Sequence, residues 1–255
     1  MDIISQNILY FIIAIAIIIL LLIWAYSTKR LQADFNTITW TLIPVAIAIN
    51  IAIGEIVVTL KLPVYLDSIG TVLVAVVCGP WAGALTGMFA NIIWGALIDP
   101  NAFPWFPVAF FIGLVAGLCA KGGLYKNWWK VIVTGFLVAL TAATVSTPIS
   151  VGVYGGITAS GSSFITAYLL QIGQNLVPSV LITNYLVEPF DKISTCLLAF
   201  AIIQGLSTRF LARFPRPENA QIEQGATRTQ LLIAVIGAVA ILAIYIFVVV
   251  KTVTQ

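Results

Sequence analysis

Asn91 and Trp94 stand three residues apart in an apolar run, so on a helix they share a face. An amide and an indole turned into one cavity suit a planar, partly polar ligand. The indole offers a stacking surface, and the amide fixes hydrogen bonds. The same two residues also fit a bundle without a ligand, with Trp94 at the membrane interface and Asn91 bonded to a neighbouring helix. Tyr65, Asp67 and Tyr154 lie at the ends of apolar segments, and Gln174 and Asn175 interrupt another. With Asn91 and Trp94 these five are the candidate ligand contacts, because polar groups at membrane depth are costly and mark function by default. Glu55 is a lone carboxylate in an apolar stretch. It suits a proton or sodium relay, a contact to a cationic ligand, or a bond to Lys61 or a neighbouring helix. Asp191 and Lys192 read as a pair at the start of a helix, where the dipole favours the acid.

Other chemistry is excluded by residue type. The chain has no histidine, so His-based acid/base catalysis and His metal sites are absent. Cys78, Cys119 and Cys196 lie far apart in apolar stretches without a CxxC spacing, and read as small buried hydrophobes. No nucleophile, base and oxyanion set can be assembled, so the expectation is a protein that is not an enzyme and holds neither cofactor nor metal.

Composition says what positions these residues. The 255-residue chain has 12 basic and 9 acidic residues, 8 % charged, while 61 % are hydrophobic. Soluble domains carry roughly 25 % charge, so a water-soluble globule and a nucleic-acid-binding domain are both excluded. A polytopic, all-α membrane bundle remains, with the lipid bilayer as its surroundings. Seven apolar segments stand out, at about 8–25, 39–60, 66–98, 105–120, 131–151, 163–207 and 230–250. The first has no basic residues before it, which argues for a spanning helix over a secretory leader. A span takes about 20 residues, so 66–98 and 163–207 must each be divided. Gly79-Pro80-Trp81 divides the first into a hairpin of 66–79 and 81–98, since proline removes a donor and its predecessor avoids helical angles. Glu188-Pro189-Phe190-Asp191-Lys192 divides the second, and 191–208 forms the next span.

Loop charge sets orientation. Lys29 and Arg30, then Lys121, Lys126 and Lys130, then Arg209, Arg213, Arg216 and Arg228 fall in three loops, which the positive-inside rule places in the cytoplasm. Four spans separate the first loop from the second. Three apolar stretches separate the second from the third, an odd number that cannot return to the same side. The most polar of them, 163–187, is therefore expected to re-enter or lie along the surface, lining a cavity. The expected architecture is a six-helix core at 37–208 with one extra transmembrane helix at each end. Residues 1–36 hold the first helix and a basic loop, 209–229 a linker, and 230–255 the last helix. Gly83/Gly87 and Gly113/Gly117 read as close helix contacts. Residues 155–163, rich in Gly, Ser and Thr, read as an outer loop after a helix bent at Pro148.

Three features resemble the substrate-binding S-components of energy-coupling factor transporters, the bacterial vitamin-uptake systems. One is Leu62-Pro63-Val64-Tyr65-Leu66-Asp67-Ser68-Ile69-Gly70-Thr71 leading into Gly79-Pro80-Trp81-Ala82-Gly83-Ala84-Leu85-Thr86-Gly87. Another is the Ala48/Ala52 pair on the first core helix. The third is Glu188-Pro189-Phe190-Asp191-Lys192 with Arg209 beyond it. The likeness covers about 37–216. It implies a bundle in the bacterial plasma membrane that binds one small molecule, a vitamin or precursor, from outside. It also implies a transmembrane coupling protein and two cytoplasmic ATPases as partners. Ala48 and Ala52 match the family's docking face for the coupling protein. The chain itself has no Walker motif, as expected of a subunit that borrows its ATPase. The two flanking helices depart from the family pattern. The alternative is a stand-alone ion- or proton-coupled carrier with Glu55 as coupling group.

Overall fold

The computed structural model describes residues 3–221 and residue 236. The described residues form helices and no strands. The helices are α1 (Ile3–Ser27), α2 (Thr37–Thr59), α3 (Ile69–Val77), α4 (Pro80–Leu97), α5 (Phe106–Lys121), α6 (Trp128–Tyr154), α7 (Ser163–Gln171), α8 (Leu176–Gly205) and α9 (Thr208–Leu211). Four stretches are long and apolar enough to cross a membrane: Leu9–Ser27, Thr37–Thr59, Pro100–Lys121 and Trp128–Tyr154. The expected C-terminal helix at 230–250 lies outside the described residues.

α3 is the axis of the fold. Its sequence is apolar on every side, and all nine of its residues are buried, the pattern of a helix enclosed by others. α2, α4, α5 and α8 surround it. Close approach to it depends on missing side chains: a Cβ on Gly70 would collide with the Ala46 carbonyl of α2, and one on Gly83 with Ala75. Gly113 and Gly117 of α5 lie directly on Gly83 and Pro80 of α4, so both glycine pairs serve internal packing, as their spacing suggests. Inside the bundle Asn50 of α2 accepts from the Gly70 N–H at 2.7 Å and donates to Thr71 at 2.8 Å, which satisfies the start of α3. α1 lies outside this group. It packs on α5 and α6 and meets α4 through Trp24 on Trp81, with ring centroids 6.2 Å apart.

Two sequence-based divisions are corrected. The hairpin is present, but its turn is Cys78 and Gly79, with Pro80 and Trp81 already the first residues of α4, and α3 begins only at Ile69, because residues 60–68 form a loop. The second correction is larger. Glu188-Pro189-Phe190-Asp191-Lys192 does not divide the chain; α8 runs unbroken for 30 residues with Pro189 inside it. An interior proline is tolerated where neighbouring helices hold the backbone on both sides, and α8 packs along α6 and α3. The break falls instead at Gly173, whose φ of +89° is a left-handed turn. Residues 163–187 are thus two things, the nine-residue α7 and the first turns of α8. At about 1.5 Å per residue α7 is too short to span a bilayer.

The described parts of the three basic loops nevertheless gather at one end; Arg228 lies outside the described residues. Asp34, between α1 and α2, accepts from the Trp81 N–H at the start of α4 at 2.8 Å and from Arg216 at 3.2 Å. Arg216 donates its own N–H to Val77, and Asn219 donates to Val76. The end of α5 joins them where Gly117 meets Pro80. Burial pushes the Asp34 carboxyl above its ordinary value, opposed by the Trp81 N–H and the Arg216 guanidinium. The even number of long helices between the second and third basic loops is supplied by α6 and α8. The three cysteines are buried and unpaired.

Candidate functional site

The opposite end of the bundle holds a cavity of about 110 Å³. Its floor comes from α4, α5, α6 and α8, and its mouth from three connections: 60–68, 98–105 and 155–162. Two of the connections are fastened to each other. The Tyr65 hydroxyl pairs with Ser162 at 3.0 Å, and the Lys61 ammonium donates to the Ala159 carbonyl at 3.1 Å. Burial pushes the Tyr65 phenol well above its ordinary value, with the nearby Glu188 acting in the same sense, so it remains a neutral hydroxyl. Gly155, with φ +60°, ends α6 in a left-handed cap and lets the chain turn back over the cavity.

Five of the seven expected ligand contacts converge here. Tyr65, Asp67, Asn91, Trp94 and Tyr154 all line the cavity. Asn91 and Trp94 come from one face of α4, as their spacing requires, and are 5 % and 6 % exposed. Neither is at the lipid-facing surface. Glu55 does not pair with Lys61; its carboxylate accepts from the Trp94 indole N–H at 2.9 Å, which fixes the ring against α2. Tyr154 stacks on Trp105 with ring centroids 5.3 Å apart and planes 4° from parallel, and its hydroxyl donates to the Asn101 carbonyl at 2.6 Å. The remaining two stand apart from the cavity. Gln174 and Asn175 are exposed in the turn between α7 and α8 and do not line the cavity. Their amides break the apolar run because the chain turns there.

The strongest feature is one that local sequence read as a helix end. Asp191 and Lys192 lie within α8 and are 0 % and 2 % exposed. One Asp191 oxygen accepts the backbone N–H groups of Tyr65 and Leu66, each at 2.8 Å, and the other binds Lys192. Leu66 holds φ at +52°, a conformation disfavoured for a branched side chain, and the aspartate bonds hold it there. The Lys192 ammonium also reaches Ser68 at 3.3 Å, Asp67 at 3.6 Å and Glu188 at 3.7 Å. A buried network of this kind ties the 60–68 loop to α8 and faces the cavity on one side. Its only trace in the sequence is three charges within five residues of an otherwise apolar stretch. Asn184, one turn before Glu188, donates to Ser146 and Thr147 of α6 at 3.1 and 3.0 Å and completes the polar wall. Among the described residues no cluster of His, Cys, Asp and Glu could hold a metal ion.

The arrangement has the chemistry to hold a small molecule. Aromatic faces, amides, hydroxyls and carboxylates converge on one concave space, with no activated nucleophile among them. Ala48 and Ala52 sit elsewhere, on the exposed face of α2. No family model, curated protein or solved structure matches the chain.

Proposed function

We propose that this chain is the substrate-binding membrane subunit of an ATP-driven importer of the energy-coupling factor type. It captures a vitamin or related small molecule from outside and delivers it inward with a transmembrane coupling protein and two cytoplasmic ATPases. The observation that carries the reading is the position of the cavity. It opens at the end of the bundle opposite the three basic loops, which is the outer end if those loops are cytoplasmic. Its mouth is formed by linked connections that could part to admit a ligand. The bundle then reorients as a body against the coupling protein while ATP is hydrolysed.

Two further features support it. The Ala48/Ala52 face of α2 is exposed, offering small side chains for close helix approach. α1 packs on α5 and α6 and leaves that face open, so the extra N-terminal helix is compatible with docking there. In this reading the network of Asp191 and Lys192 supports the loop that covers the ligand.

The docking claim has a direct test. With the coupling protein and ATPases co-expressed, Ala48→Trp should leave ligand binding by the purified subunit within about twofold, because residue 48 lies outside the cavity, and should abolish uptake by cells, since a bulky ring prevents close packing. Normal uptake by the Ala48→Trp variant would remove the docking claim. Failure of the purified chain to bind any of a panel of vitamins and their precursors would count against capture itself.

A further inference from the structure

The geometry points to a ligand that carries a positive charge: an organic ammonium or similar cation on an apolar or aromatic body. This rests on reading the cavity as the capture site, and adds the ligand's chemical class. Among the described residues Lys192 is the only basic one lining the cavity, against Asp67, Asp99 and Glu188. Its ammonium is shared among Asp191, which binds it directly, Asp67 at 3.6 Å and Glu188 at 3.7 Å, so the carboxylates around it outnumber it. Glu188 is the most distant of the three. It is 3 % exposed, and its Oε2 atom has no hydrogen-bond partner. Lys192 approaches that atom only to 3.7 Å, beyond hydrogen-bond distance.

A buried carboxylate oxygen without a donor is a costly feature, and proteins leave one only where something else satisfies it. The cavity is where that donor would come from. Asp67, 27 % exposed on its side chain, lines the cavity 3.6 Å from the same ammonium and adds a second acceptor. The remaining walls fit the rest of such a ligand. The Trp105 and Tyr154 rings, stacked on each other, and the Trp94 indole supply aromatic surface, which attracts cations as well as planar rings. Val108, Ala109 and Ile112 supply an apolar floor. A bare metal ion would need more converging ligands than the described residues offer, whereas an ammonium needs two or three acceptors and an apolar neighbour.

The test uses the purified full chain in detergent and three probes of nearly equal shape: benzylamine, a cation at neutral pH, with neutral benzyl alcohol and anionic benzoate. Binding is read by fluorescence of the cavity tryptophans and by isothermal titration. Benzylamine should bind about tenfold or more tighter than benzyl alcohol, as charge-assisted bonds to a buried carboxylate do, and benzoate should bind weakest. Glu188→Gln should reduce the benzylamine preference to about threefold or less. If that variant does not fold, Asp67→Asn on the more exposed side of the cavity should reduce it in the same direction. Benzyl alcohol or benzoate binding as tightly as benzylamine overturns the charge inference and leaves capture by the cavity standing. A preference that survives both substitutions also overturns it. A response to sodium ion with none to benzylamine assigns the carboxylates to an inorganic cation and overturns it as well. Binding of none of the three probes, with nothing co-purifying by native mass spectrometry, overturns both the charge inference and the capture reading.

Discussion

Lys192→Met is expected to destabilise the folded protein by about 3–5 kcal/mol, the range for removing one partner from a buried ionic network. The lysine stem is replaced by one of similar length, so packing changes little. What is lost is the ammonium that Asp67, Glu188 and Asp191 share. Three carboxylates are then left without their shared cation, two of them buried, and the 60–68 loop loses the group that screens Asp191 while Asp191 holds Tyr65 and Leu66. Thermal unfolding of the detergent-purified variant measures the effect. The double variant Lys192→Met with Glu188→Gln should recover part of the loss, because one of the unbalanced charges is gone and neighbouring sites couple. An unchanged melting temperature in the single variant would mean that the ammonium holds nothing together.

At the other end of the bundle Gly79→Ala should be nearly as damaging, for a different reason. Gly79 has φ +127° and ψ 170°, a region that residues with a Cβ essentially do not occupy. A methyl group there would also collide with the Asp34 carboxylate, which binds the Trp81 N–H and Arg216. Backbone strain of about 1–3 kcal/mol combines with the loss of charged hydrogen bonds worth about 1.5–3 kcal/mol. The two parts can be separated by thermal unfolding. Asp34→Ala removes the bonds and the collision together, so adding Gly79→Ala to that background should cost only the strain. Equal effects of Gly79→Ala in both backgrounds would show that Asp34 does not hold the turn.

Much of this was legible in the sequence, and the failures have physical causes. Helix content, the turn at Gly79 and the glycine contacts follow from local chemistry: apolar runs, a proline with its restricted predecessor, and small residues at four-residue spacing. The grouping of the basic loops also follows, since charge has few places to go in such a chain. Pro189 misled because a proline reads as a break when seen alone, while packing on α6 and α3 keeps α8 continuous. Gln174 and Asn175 lie outside the cavity for the converse reason. Polarity inside an apolar run signals either a cavity or a turn, and Gly173 beside them was the sign of a turn. Asp34 was invisible because its partners, Trp81 and Arg216, are 47 and 182 residues away. Glu188 and Lys192 were seen as local marks, yet their role depends on Asp67 and Ser68 from a distant loop.

On the proposed function, the chain captures its ligand unaided and cannot carry it across alone. The most direct measurement places the purified chain by itself in sealed vesicles and adds, in radiolabelled form, the small molecule that native mass spectrometry finds on it. Saturable binding to the vesicles with no accumulation inside is expected, under any ion or proton gradient, until the coupling protein, ATPases and ATP are supplied. Accumulation in vesicles holding this chain and no other protein would contradict it.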